Sequence, residues 1–120
     1  MELVKRNING TEYTFANTTW SNSNGWGHET HLFKNHYELN SRKVRYYNRT
    51  WESYKYQSCM RSCVYELIEQ KEEALKDRFK EEKGITRLTK RFEIQFENYK
   101  QENKTLQELK ELYKSLEWRN

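Results

Sequence analysis

The period of hydrophobic and polar positions changes once along the chain. Over the first third it is two: "TEYTFANTT" carries Tyr13 and Phe15 at alternate positions, the spacing of a half-buried strand. "HETHLFK" and "YELNSRKVRYY" are similar runs, and Asn35 and His36 between them suit a tight hairpin turn. The polar, glycine-containing stretch "WSNSNGWG" reads as the connection between the first run and the second. The expectation is a three-stranded antiparallel meander, roughly 11–19, 28–34 and 37–47.

After residue 50 the period becomes 3.6. Thr50 is a candidate N-cap with Glu52 in the first turn, where the helix dipole favours an anion. Tyr56, Met60, Cys63, Val64 and Leu67 then share one face. The pattern predicts a helix to about Lys83, ended by a left-handed Gly84, with Ile85 folding back on Phe79.

Beyond Gly84 two periods compete. "FEIQFE" alternates as a strand would. A heptad register instead places Ile85, Phe92, Tyr99, Leu106 and Tyr113 at one core position, and Leu88, Gln95, Glu102, Leu109 and Leu116 at the other. Helix is the reading adopted, broken near Asn103, with "TLQE" from Thr105 to Glu108 as a capping box for a fresh start. It would form a helical hairpin with the first helix or, as the alternative, the coiled coil of a homodimer. The fold class expected is therefore α+β in one domain: a meander (1–48), a first helix (50–83) and a C-terminal helical segment (86–118).

Composition narrows the chemistry. Hydrophobic residues are 34% of the chain, charged residues 33% and aromatics 15%, so a small core must lean on Tyr, Trp and Phe. No apolar run approaches the roughly 18 residues that span a bilayer, and the first residues lack the apolar stretch of a signal peptide. A cytoplasmic protein is the expectation, and the Asn-x-Thr triplets at Asn9, Asn17, Asn48 and Asn103 then read as turn and capping residues rather than glycan acceptors.

Cys59 and Cys63, four apart on a helix, read as small buried hydrophobes. A metal site would need further ligands at recognisable spacing, and a disulfide would be unusual in a reducing cytosol. His28, Glu29, His31 and His36 cluster along one hairpin, but His28 and His31 fall on opposite faces of a strand and would not share a metal. No nucleophile triad, phosphate-cradling glycine loop or metalloprotease signature is present. Nothing argues for an enzyme, a cofactor or a small-molecule substrate.

Charge is more informative by position than by sum. The net charge is +4. Residues 1–63 hold nine Lys or Arg against five acids, whereas residues 64–120 hold thirteen of each. Within 42–61 there are six cations and one acid, Glu52. Alternation along "RKVRYY" sends Arg42, Val44 and Tyr46 one way and Lys43, Arg45 and Tyr47 the other, with the Val44 face the better core candidate. His31 and Lys34 are possible neighbours of the outward set. Rings and cations together suit phosphate and unpaired bases. The candidate binding residues are Arg42, Lys43, Arg45, Tyr47, Arg49, Trp51, Tyr54 and Lys55. Trp51, Tyr54 and Tyr65 lie on the far side of the first helix from Met60, either packed under a second layer or exposed to a partner.

At "GWGHETHLF" followed by "SRKVRYYNRTWESYKYQSCMRSCVYELIE", the chain resembles a group of small proteins of phages and mobile elements of Gram-positive bacteria. That group includes type II-A anti-CRISPR proteins, inhibitors of Cas9. The resemblance covers about residues 17–70, and "YYNRTWESYKYQ" is its most specific part. It implies a protein that acts in the bacterial cytoplasm without a metal, by stoichiometric binding to Cas9 or its guide RNA. Arg45, Tyr47, Asn48, Arg49, Trp51 and Glu52 are the motif residues it carries over. Two other readings stand beside it: a general RNA- or single-stranded-DNA-binding phage accessory protein, and a non-catalytic dimeric interaction protein.

Overall fold

The computed structural model describes residues 1–46 and 56–117. It is α+β, with seven elements among those residues: β1 (Glu2–Ile8), β2 (Thr11–Asn22), β3 (Gly25–Lys34), β4 (Tyr37–Tyr46), α1 (Gln57–Lys83), α2 (Lys90–Gln101) and α3 (Lys104–Ser115). The four strands form one antiparallel meander in the order β1-β2-β3-β4. The sheet thus has one strand more than its alternation suggested. "ELVKRNI" gives a weak strand signal because Lys5 and Arg6 interrupt a short run, yet Val4, Arg6 and Ile8 alternate against Phe15, Tyr13 and Thr11.

The strands also run further than expected. "WSNSNGWG" is not a loop: β2 continues to Asn22, β3 starts at Gly25, and only Ser23 and Asn24 make the turn. Trp20 and Trp26 are therefore strand residues. The other two hairpins turn on Asn9–Gly10, both with positive φ, and on Asn35 at φ 56 followed by His36, as the turn chemistry of asparagine favours.

One sheet face is covered by helices. On it lie Tyr13, Phe15 and Leu32, all essentially inaccessible, with Ile8 at one margin. Against them α1 presents Met60, Cys63, Val64 and Ile68, and α3 presents Leu106, Leu109 and Leu112. Burying a side chain such as Phe15 or Leu32 contributes about 1.5–3 kcal/mol, so this seam dominates the stability of a chain poor in aliphatics. Asn17 is an exception to the turn-or-cap reading of the Asn-x-Thr triplets. It sits mid-strand and fully buried, accepting from Thr30 Oγ1 at 2.6 Å and donating to Met60 Sδ at 3.4 Å.

Cys59 and Cys63 are buried free thiols of this seam. Burial pushes the Cys63 thiol up to about 12 and the Cys59 thiol in the same direction. Cys59 Sγ donates to the Arg42 carbonyl at 3.3 Å, which ties the first turn of α1 to β4.

Helix ends depart from the sequence reading at two of three places. The proposed cap at Thr50 and Glu52 lies outside the described residues, but Tyr56 adopts a left-handed backbone (φ 66) immediately before Gln57, so α1 does not extend helically back through it. Its other end is as expected: Gly84 is left-handed, its N–H bonds the Glu81 carbonyl, and the Ile85 N–H reaches back to Lys80 at 3.0 Å. The C-terminal segment is helical over "FEIQFE" rather than a strand, from Lys90 onward: Phe92 and Phe96 turn inward while Ile94 stays exposed. It breaks at Glu102–Asn103, and the cap is Asn103, not Thr105. The Asn103 carboxamide oxygen accepts from the Leu106 N–H at 3.0 Å.

The heptad register holds in part. Leu106, Leu109 and Leu116 are buried as the heptads implied, but Phe96 and Leu112 are buried outside that register. α2 and α3 each pack on α1 within the chain, giving the intramolecular hairpin. Glu72 of α1 joins the three helices, meeting Lys100 of α2 at 3.9 Å and Lys110 of α3 at 3.3 Å.

The cap assignment has a direct consequence. Asn103→Ala should lower the free energy of unfolding by about 1 kcal/mol in urea titrations, whereas Thr105→Ala should change it by less than about half that amount. A larger loss for Thr105→Ala than for Asn103→Ala would return the cap to Thr105.

Candidate nucleic-acid interface

Among the described residues, no helix lies on the second sheet face. Which residues reach it follows from the β3–β4 register, which pairs His28 with Val44, Glu29 with Lys43, and Gly27 with Arg45. Partners in a ladder share a face. Val44, opposite buried His28, and Arg42, opposite buried Thr30, therefore face the helices. Lys43 and Arg45 face away, as alternation along "RKVRYY" implied. β4 is an edge strand, so its two side-chain rows border both faces at the rim of the sheet.

Trp20 completes the outward cluster. It pairs with Gly27 on β3, and because Gly27 has no side chain the indole reaches across that strand. Its Nε1 donates to the Val44 carbonyl of β4 at 3.2 Å, and Lys43 Nζ stands 4.7 Å from the ring centroid. Such a contact is attractive because the ring face is electron-rich. Any larger residue at 27 would also collide with backbone, since an added Cβ would lie 1.8 Å from the Val44 oxygen. Gly25, at φ 139, gives similar room to Arg45, whose Nε would stand 2.8 Å from a Cβ placed there. Two glycines that look like loop residues in the sequence are thus the clearance on which Trp20 and Arg45 lie.

His31 shares this face with Lys43, and Lys34 does not, since it pairs with Tyr13 on the helix-covered side. His31 is held between two carboxylates: Nδ1 lies 2.5 Å from Glu38 and Nε2 lies 3.4 Å from Glu29. The Glu38 hydrogen bond leads in raising its pKa above the ordinary histidine value.

On the covered face, at the same end of the sheet, His28 is buried among rings. Its centroid is 4.5 Å from Tyr56, 5.0 Å from Tyr46 and 5.8 Å from Trp26. The Tyr56 N–H points at His28 Nδ1 from 3.4 Å, and the Tyr46 hydroxyl lies 3.2 Å from the same nitrogen. Among the described residues, no three His, Cys, Asp or Glu side chains are grouped to hold a metal. None of the described helices is long and apolar enough to cross a membrane.

The structure therefore divides the sequence-derived candidates. Lys43 and Arg45 stand together on the open face. Arg42 is separated from them, on the helix side, with its guanidinium 3.3 Å from Glu66 of α1. Tyr47, Arg49, Trp51, Tyr54 and Lys55, like Asn48 and Glu52, lie outside the described residues. Tyr65 is half exposed. Trp20 is hidden in the sequence because "WSNSNGWG" has the composition of a connection. The available signal was Thr18 and Trp20 continuing one alternation and Trp26 to Leu32 another, with two residues left between the strands.

The His31 clamp gives a pH signature. A group whose folded pKa is raised contributes stability that is fully present below its unfolded value, about 6.5, and is lost as pH rises through the folded value. Carbon-bound proton shifts should show His31 titrating above the ordinary histidine value, and Glu38→Gln should bring it down. An unchanged midpoint in that variant would remove Glu38 as the cause. No family model matches this chain, and no curated protein or solved structure shows significant similarity to it.

Proposed function

We propose that the protein is a non-catalytic inhibitor that binds a type II-A Cas9 assembled with its guide RNA, using the helix-free sheet face to contact the RNA. The observation that carries this reading is the grouping of the Trp20 indole, the Lys43 ammonium and the Arg45 guanidinium on that face. Cations neutralise phosphates, an aromatic ring offers a surface for an unpaired base, and both are needed to hold single-stranded RNA without reading its sequence. The choice of Cas9 comes from the resemblance carried by "YYNRTWESYKYQ", which begins where β4 ends. A binder of this kind acts by occupancy, so it needs neither a metal nor a cofactor.

A general RNA- or single-stranded-DNA-binding protein would use the same face and differ only in its indifference to Cas9. A homodimer through the C-terminal heptads has less support, because Leu106, Leu109 and Leu116 are already buried within the chain.

Purified protein should block target cleavage by Cas9 loaded with guide at near-equal molar ratio, and Lys43→Glu combined with Arg45→Glu should abolish the block while leaving the melting temperature within a few degrees. If phosphate is the target, neutralising two contacts should flatten the log–log salt dependence of RNA binding by about 1.4. Undiminished cleavage by several type II-A enzymes at large molar excess of the protein would overturn the Cas9 reading. Retained shift of unrelated RNA in the same samples would leave the general binder in its place.

A further inference from the structure

On the helix side of the β4 rim, the first three turns of α1 border an open groove whose far wall is Tyr113 of α3. Ser58, Arg61, Ser62 and Tyr65 face it from α1, at the i, i+3, i+4 and i+7 spacing that stacks side chains along one helix face. Arg61 is the centre of this row. Its guanidinium carbon stands 4.5 Å from the Tyr113 ring centroid. Such a contact is attractive because the ring face is electron-rich, and it uses none of the guanidinium N–H donors in hydrogen bonds, which leaves them for an oxyanion.

The acids of the groove are otherwise engaged. Glu66 is taken by Arg42 at 3.3 Å, and Glu69 acts on the Tyr65 phenol, whose pKa it raises. Arg61 makes no ion pair with any described residue. A guanidinium without an ion-pair partner thus lines the same groove as the Ser58 and Ser62 hydroxyls and the half-exposed Tyr65 ring.

We infer that this groove is a nucleotide subsite for single-stranded nucleic acid: Arg61, Ser58 and Ser62 hold one backbone phosphate and Tyr65 stacks on the adjoining base. The inference rests on the nucleic-acid reading of the sheet face and extends it around the β4 edge. One strand would then be gripped from both sides of that edge, by Lys43 and Arg45 on the open face and by Arg61 in the groove. Phosphate is favoured over the carboxylates of an acidic peptide because serine hydroxyls and a planar guanidinium supply donors to several oxygens of one tetrahedral group, and because an exposed ring adjoins them.

Fluorescence anisotropy with a labelled ten-residue oligouridylate tests it, with an oligoglutamate peptide of the same length as the rival probe. Arg61→Ala should weaken oligouridylate binding by roughly tenfold or more, as loss of a charge-assisted contact does, and should flatten the salt dependence by about 0.7. Ser58→Asp separates binding from folding. A new carboxylate in the first turn of α1 favours the helix but repels a phosphate, so melting temperature should hold or rise while affinity falls. Wild-type binding that both variants retain would overturn the subsite and leave the sheet face standing. Absence of oligouridylate binding by the wild type would overturn both, and Arg61-dependent capture of oligoglutamate alone would assign the groove to an acidic protein segment.

Discussion

The architecture depends on the covering of one sheet face and not the other. Tyr13, Phe15 and Leu32 are fully buried on one side of the sheet because α1 and α3 lie over them. Strand geometry then sends the intervening residues to solvent without further instruction. Everything distinctive about the basic stretch follows. Arg42 is drawn to Glu66 of α1, while Lys43 and Arg45, one position out of phase, stand on the bare face with Trp20. A slip of one residue in the pairing of β4 would exchange the two sets. Several contacts oppose such a slip: Cys59 Sγ bonded to the Arg42 carbonyl, Asn40 bonded to the Cys63 carbonyl, and Trp20 bonded to the Val44 carbonyl.

Much of this was legible in the sequence. Period two along "RKVRYY" identified Lys43 and Arg45 as an outward pair and Arg42 with Val44 as the inward one. Period 3.6 placed Tyr56, Met60, Cys63 and Val64 in the core, and Gly84 ended the helix as read. These features are local, and one physical cause decides each of them. The errors arose where a local signal had two causes. Gly25 and Gly27 suggest a loop by composition, but they sit in a strand, where glycine is needed because Arg45 and the Val44 carbonyl approach their backbones too closely for a Cβ. Asn17 resembles a turn residue, yet it is buried because Thr30 and Met60 satisfy its carboxamide across the seam. "TLQE" satisfies the capping-box pattern, but Asn103 two residues earlier caps α3 first.

The C-terminal half illustrates a different limit. Its heptad pattern is equally compatible with a partner helix in another chain or in the same one, and periodicity does not distinguish them. Packing does: α2 and α3 lie on α1, and Glu72 binds lysines of both helices. Their charged outer faces alternate in sign and contribute little net field. The positive excess therefore remains near the sheet rim and the start of α1, where Lys43, Arg45 and Arg61 lie.

The central claim is that the helix-free sheet face is where nucleic acid docks, and amide and indole chemical-shift mapping tests it most directly. Titrating the isotopically labelled protein with a short oligouridylate should move the Trp20 indole N–H and the amides of Lys43 and Arg45, and leave the outer face of α2 unchanged. Shifts concentrated on α2 and α3, with Trp20, Lys43 and Arg45 unmoved at saturation, would contradict it.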